Sequence, residues 1–129
     1  RGTIKVPIGR HPVHRKKMAV AKTGRDAETG YHIIEKLKEA TFTEAKLHTG
    51  RTHQIRVHFQ HIGCRVVGDP VYGGRSARLL TDATGYKAPR QLLHAQSLTF
   101  THPQTGRLTT VEAPLPNDFL DALEFLRIR

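Results

Sequence analysis

The stretch HTGRTHQIRVHFQHIGCRVVGDPVYGG, residues 48–74, constrains this chain more than any other, because turn, helix and turn signals follow one another within it. Thr49-Gly50 interrupts whatever precedes it. Thr52 is placed to cap a helix, since a threonine hydroxyl accepts from an amide of the first turn. Ile55, Phe59 and Ile62 follow at i, i+4 and i+7 and predict one apolar helical stripe. Gly63 ends the helix where a left-handed backbone is needed. Residues 64–67 are apolar and partly β-branched, which predicts a short buried strand with Cys64 packed in the core. Asp69-Pro70 and Gly73-Gly74 are turn chemistry.

The predicted helix carries a heavy polar load: Arg51, His53, Gln54, Arg56, His58, Gln60 and His61. An ordinary amphipathic helix with a wet outer face accounts for these residues as well as a functional site does. Arg51 and His53, however, stand at the helix start. Free amides and the positive end of the helix dipole favour an anion such as phosphate there.

Charge points the same way. The chain has 21 basic and 11 acidic residues in 129, a formal net charge of +10. Residues 1–25 hold Arg1, Lys5, Arg10, Arg15, Lys16, Lys17, Lys22 and Arg25 and no acidic residue. Such a segment attracts polyanions through long-range steering and counterion release. Nucleic acid is the expected partner rather than an anionic membrane, because the segment lacks the apolar face of an interfacial helix. No run approaches the length of a membrane-spanning helix. One cysteine makes no internal disulfide and suits a reducing, cytoplasmic setting. The chain begins at Arg1 rather than at methionine, as a fragment would.

Taken in order, Ile4-Lys5-Val6 alternates and is ended by Pro7, which predicts an edge strand. Residues 9–17 predict an exposed loop, either a phosphate-contacting arm built on Arg10, Arg15, Lys16 and Lys17 or a merely solvated one. Residues 18–20 predict a small strand and Thr23-Gly24 a turn. Residues 32–38 are helical by propensity, whereas residues 40–47 alternate like a strand with Phe42 inward. Residues 75–89 have few apolar positions beyond Leu79-Leu80 and predict a long mobile loop. Residues 92–101 and 108–111 flank His102-Pro103-Gln104-Thr105-Gly106 as a hairpin, residues 97–100 alternating like a half-buried strand. Asn117 is placed to cap a last helix that buries Phe119, Leu120, Leu123 and Leu126.

Several chemistries lack their residues. His53 and His58 are five apart and diverge on a helix, and His58 and His61 lack the i, i+4 spacing of a helical metal pair, so no metal is expected. His102 fits a turn and His94, beside Leu92 and Leu93, a hydrogen-bonded core position. No G-x-S-x-G elbow or G-x-x-x-x-G-K-[ST] phosphate loop occurs. The acidic residues are scattered and mark no general acid/base pair.

TGRTHQIRVH followed by VGDPVYGG resembles the C-terminal signature of the RluA-type pseudouridine synthases, and most closely their RluD-like, large-ribosomal-subunit subgroup. RHPVHRKKMAV and GYHIIEKL before it, and QLLHAQSLTFTHPQTG and EAPLPNDF after it, extend the resemblance over nearly all of the chain. The resemblance implies an α+β fold, part of a mixed, mainly antiparallel sheet with a central motif helix and a C-terminal helix. It makes residues 32–38 and 40–47 antiparallel strands, against propensity, which is the weaker guide. It implies isomerisation of uridine in ribosomal or transfer RNA without cofactor or metal: the base leaves the stack, its glycosidic bond to nitrogen breaks, the base turns, and a carbon–carbon bond forms. The RNA would be read by shape and unstacked bases.

One departure is decisive. The family's catalytic aspartate lies in an H-R-L-D-x-x-T-S-G motif that this chain lacks, and its active-site tyrosine also belongs to an upstream segment. Residues 1–129 are therefore expected to be the C-terminal half of one catalytic domain, inactive alone, with the missing N-terminal half as its partner and no oligomer. Tyr31 matches a strand tyrosine of the family and Tyr72 the turn after the short strand; neither replaces the missing tyrosine. By resemblance Arg56 projects into the active site and pairs with the absent aspartate, holding it ionised. Arg51, His53 and Gln54 would lie near the RNA backbone or the flipped nucleotide, and Leu93 against the uracil ring. Two other possibilities stand beside this one: a non-catalytic RNA-binding module on the same scaffold, and a basic ribosome-associated protein.

Overall fold

The computed structural model describes residues 1–128. Strand β1 (Gly2–Lys5) pairs antiparallel with β4 (Glu28–Leu37), which pairs antiparallel with β5 (Ala40–Leu47), in the order β1-β4-β5. β1 is thus the edge strand that Pro7 predicts. Residues 32–37 are strand, and a bulge at Ile34 separates the two stretches of the β4–β5 register. The hairpin turns at Lys38 and Glu39, and Glu39 takes a φ of 56°. Phe42 faces inward and meets Phe119 edge-on, ring centroids 5.7 Å apart.

A small hairpin of β2 (Ile8–Arg10) and β3 (Met18–Val20) carries the basic residues 11–17 at its tip. Helix α1 (Gln54–His61) follows β5, then α2 (Ser76–Thr84), a hairpin of β6 (Ser97–Thr101) and β7 (Leu108–Glu112), and α3 (Asn117–Leu126). Two apolar clusters organise these elements. Leu37, Leu80, Tyr86, Ala122, Leu123 and Leu126 form the larger. Ile8, Ala27, Val57 and Tyr72 form the smaller, beneath the candidate site. The Lys38 amide donates to the Leu126 carbonyl at 2.8 Å and ties the β4–β5 turn to the end of α3.

Several expectations are corrected. Residues 75–89 are not a structureless loop, because residues 76–84 form α2. Gly85 closes that helix at a φ of 82°, its amide donating to Thr81, and Leu80 anchors it in the larger cluster. Residues 64–67 form no strand, and Cys64 is exposed rather than packed. In α3 the buried face is Ala122, Leu123 and Leu126, while Leu120 is exposed. Pro116, not Asn117, takes the cap position of α3, without a side-chain cap. β6 is exposed along its whole length, including Leu98 and Phe100, so the expected half-burial is absent. His94 is half-buried rather than core, its Nε2 donating to the Ala113 carbonyl at 3.0 Å.

Candidate active site

Helix α1 is held by the wrong face for a simple amphipathic helix. Its buried residues are Gln54, Val57 and His58. Ile55 and Phe59 are half-buried and Ile62 exposed; together with β5 and α3, their stripe lines an open groove of about 580 Å³. The Gln54 amide makes all four of its hydrogen bonds. Its oxygen accepts from Thr49 Oγ1 at 2.7 Å and the Arg51 amide at 2.9 Å. Its nitrogen donates to the Glu28 carbonyl and to Thr29 Oγ1, both at 2.9 Å. Thr29 Oγ1 in turn lies 2.8 Å from His58 Nδ1, and His58 Nε2 lies 2.9 Å from the Val6 carbonyl. A carbonyl only accepts, so Nε2 carries the proton and Nδ1 accepts from Thr29. Burial lowers the His58 pKa, against the opposing Val6 hydrogen bond and with a smaller push from His61, and the ring stays neutral. Strand β4, the helix and the segments that follow β1 and β5 are thereby cross-linked through a fully satisfied polar network.

The helix ends differ from each other. At the C-terminus the Cys64 amide donates to Phe59 and the Gly63 amide to Gln60, with Gly63 at a φ of 80°, the predicted left-handed stop. At the N-terminus Thr52 is not the cap. His53 holds that position at a φ of 55° and ψ of 25°, without a capping side-chain bond. Left-handed backbone is uncommon outside glycine and costs energy that neighbouring contacts must offset. The contact present is His53 Nδ1 to Tyr72 Oη, 2.7 Å.

Arg56 lies one turn into the helix. Its Nε and Nη2 donate to Asp69 Oδ2 and Oδ1 at 2.7 and 2.8 Å. The Asp69 side chain is fully buried and that of Arg56 is 13% exposed. Asp69 Oδ1 also accepts from the Val71 and Tyr72 amides at 2.9 and 3.0 Å. Burial alone would raise the Asp69 pKa. The Arg56 hydrogen bonds, then the Tyr72 and Val71 amides, outweigh it and hold the carboxyl below the usual range. The same bonds raise the Arg56 pKa against its own burial. Two glycines permit the turn that carries Asp69. Gly68 has a φ of 79° and packs against the Arg90 carbonyl, and Gly73 packs against the Asp69 carbonyl, in both cases with no room for a Cβ.

Tyr72, 1% exposed, sits at the centre. Its hydroxyl accepts from the Met18 amide at 2.9 Å, so its own proton is available to His53 Nδ1. The Arg56 guanidinium lies 4.9 Å from its ring centroid and Lys17 Nζ 5.8 Å. Burial first and the Arg56 charge second lower the His53 pKa, with Asp69 opposing. His53 is therefore neutral at pH 7 beside a permanent cation.

Not all of the expected residues gather here. Lys17, His53 and Arg56 converge on Tyr72. Arg10, Arg15 and Lys16 are exposed on the β2–β3 hairpin and its tip, where Arg10 donates to the Arg15 carbonyl at 2.9 Å. Arg51 is committed to the Asp26 carbonyl at 2.8 Å. Gln54 is structural glue, 3% exposed, and faces no open surface. Leu93 lines the apolar groove, whose lining includes neither Arg56 nor Asp69. Sequence reasoning missed Asp69 and Tyr72, both assigned to a turn. The available signal was G-D-P-V-Y-G-G itself: a buried carboxylate in a glycine-flanked turn calls for a cation, and Arg56 is close by in the chain.

The sequence profile described as RNA pseudouridylate synthase matches residues 1–61. Relatives named ribosomal large subunit pseudouridine synthase D include those of Pseudomonas aeruginosa, 51% identical over 98% of this chain and 41% of the relative, and Nitrosomonas europaea, 46% identical over 98% and 37%. The Escherichia coli relative of the same name is 44% identical over 98% of this chain and 40% of its own length. The chain thus spans about two-fifths of the curated relatives it matches. A solved structure, human RNA pseudouridylate synthase domain containing 4, has the same fold, with a TM-score of 0.63 at 23% identity over 97% of this chain and 56% of that one. With its α+β fold, its TGRTHQIRVH helix and 44–51% identity to these relatives over 98% of its own residues, the chain belongs to the RNA pseudouridylate synthase family.

Proposed function

We propose that this chain is the C-terminal half of a catalytic domain whose full-length protein isomerises specific uridines of structured RNA to pseudouridine, in large-subunit ribosomal RNA before transfer RNA. The observation that carries this is the Arg56 arrangement. Asp69 takes Nε and Nη2 and fixes the guanidinium against the Tyr72 ring, while Nη1 has no hydrogen-bond partner among the described residues. A guanidinium offers five N–H donors. One held by its inner edge presents its outer edge, in a set orientation, to a second carboxylate. The expected occupant is the catalytic aspartate of the upstream half, kept ionised by that contact. The basic tip of the β2–β3 hairpin, with Arg15, Lys16 and Lys17, holds RNA phosphates beside it. Cytoplasmic RNA as substrate and the absence of a cofactor belong to the same proposal.

A second possibility has a specific observation in its favour. Arg56 already has an internal carboxylate, so its position is accounted for without catalysis, and a non-catalytic RNA-binding module or basic ribosome-associated protein would keep the same pair. One experiment separates the two: tritium release from large-subunit ribosomal RNA labelled at uracil C5. The full-length protein is expected to release tritium, this chain alone to release none, and Arg56→Ala in the full-length protein to abolish turnover while leaving most RNA affinity. RNA binding without release by the full-length protein, with transfer RNA also tried, would select the second possibility. Full activity of Arg56→Ala would remove Arg56 from the site.

A further inference from the structure

We infer that Tyr72 is a positioning residue that couples the basic hairpin tip to Arg56, so that RNA held by the tip sets the guanidinium for the reaction; this rests on the synthase reading above. Three elements meet at the Tyr72 side chain. Its hydroxyl accepts from the amide of Met18, the first residue of β3 and the neighbour of Lys17. The same hydroxyl lies 2.7 Å from Nδ1 of His53, which caps α1 in a left-handed conformation. Its ring backs the Arg56 guanidinium, and its amide donates to the carboxylate that grips Arg56.

The consequence is mechanical. Residues 11–17 leave the β2–β3 ladder and return to it at Met18. A phosphate pulling on Lys17 pulls on the strand start whose amide is tied to Tyr72. Tyr72 cannot move without shifting both the helix cap and the ring behind Arg56. A well-packed, hydrogen-bonded junction of this kind transmits displacement because it has little slack. The hydroxyl is the link, and the ring is the packing, so the two can be separated chemically.

Tyr72→Phe in the full-length protein keeps the ring in the smaller cluster and under Arg56 but cuts both hydroxyl contacts. RNA affinity, read by filter binding, is expected to stay within about threefold, since the basic side chains remain. The single-turnover rate of tritium release at saturating RNA is expected to fall about tenfold, as loss of orientation does. Lys17→Ala supplies the decisive arm. In the natural background it should lower both affinity and saturated rate; in the Tyr72→Phe background it should lower affinity alone. A purely structural tyrosine would give additive losses of rate, and that result, or a Tyr72→Phe rate equal to the natural one, overturns the inference. If Tyr72→Phe loses its cooperative melt, His53→Asn is used instead, because asparagine tolerates the left-handed cap while removing the Nδ1 contact. It cuts the helix-cap branch alone, so the saturated rate should fall at unchanged affinity and the rate loss from Lys17→Ala should shrink; a saturated rate equal to the natural one overturns the inference. Absence of tritium release from the natural full-length protein would instead overturn the synthase reading itself.

Discussion

Replacing Asp69 by asparagine in the full-length protein removes one charge and almost no volume. The carboxylate accepts four hydrogen bonds, two from Arg56 and two from the Val71 and Tyr72 amides. Asparagine has one acceptor oxygen. If that oxygen stays on the two amides, its NH2 group faces the Arg56 donors, and the guanidinium, 13% exposed in this chain, loses the counter-charge on its inner edge and keeps only the proposed upstream carboxylate on its outer one. Breaking one side of a buried pair costs about 3–5 kcal/mol. Arg56 retains some access to water, so the lower end, about 3 kcal/mol, is expected. For a protein of the relatives' size that corresponds to a fall in Tm of roughly 4–5 °C. The assay is urea unfolding at pH 7 followed by circular dichroism, with a thermal scan beside it. Because folding lowers the Asp69 pKa, its contribution is complete above the unfolded value of 3.8 and is lost as pH falls through the folded value. The gap between natural protein and variant should therefore be constant from pH 7 to about 4.5 and close below about 4. A second substitution, Arg56→Met, should cost less in the Asp69→Asn background than in the natural one, because the pair it would break is already gone. A variant within about 0.5 kcal/mol of the natural protein at pH 7, or a double variant whose loss equals the sum of the singles, would refute the claim that this pair holds the turn to the helix.

Three further outcomes follow from the geometry. Folding lowers the His58 pKa, so its contribution is complete above the unfolded value of 6.5 and declines as pH falls below it; His58→Gln should flatten the dependence of urea stability between pH 7.5 and 5.5. Gly68→Ala should cost about 2 kcal/mol or more, read by the same unfolding curve, since a φ of 79° and the Arg90 carbonyl both oppose a Cβ; a neutral result would mean that the segment carrying Arg90 moves aside freely. Lys16→Ala should lower the slope of log affinity for RNA against log salt by about one and weaken binding uniformly across RNA sequences, which a salt titration by filter binding checks.

The site was legible in parts, for identifiable reasons. Gly63 was readable as a helix stop because the left-handed backbone it needs is a local property. The β4 strand was not readable from propensity, since Ile33-Ile34 and Glu35-Lys36-Leu37-Lys38 suit a helix; pairing with β1 and β5 overrides that preference. The stripe Ile55, Phe59, Ile62 announced α1 correctly but misplaced its buried face, because periodicity counts apolar residues and cannot see a polar network that satisfies itself. α2 went unrecognised although Gly85 marks its end, as one buried leucine gives too little periodic signal over nine residues. Arg56 was identified through its motif, but its partner lies thirteen residues on across a turn, and side-chain pairing over such a span is set by the fold.

The polar seating of α1 also limits the routes by which this sequence can change. Gln54, Thr29, Thr49 and His58 hold one another through donors and acceptors of fixed sense. A leucine at position 54 would leave the Arg51 amide without its acceptor and take one bond each from Thr29, Thr49 and Glu28, and an alanine at 29 would leave His58 Nδ1 unmet and take one bond from Gln54. Each single step passes through a state with an unmet group, at about 1–3 kcal/mol, and further lost bonds beside it. Hydrophobic seats drift by one methyl at a time, whereas this one can be exchanged only as a set. The helix that presents Arg56 is thus anchored in the slowest-changing kind of contact, leaving its open apolar stripe free to vary with whatever comes to lie against it.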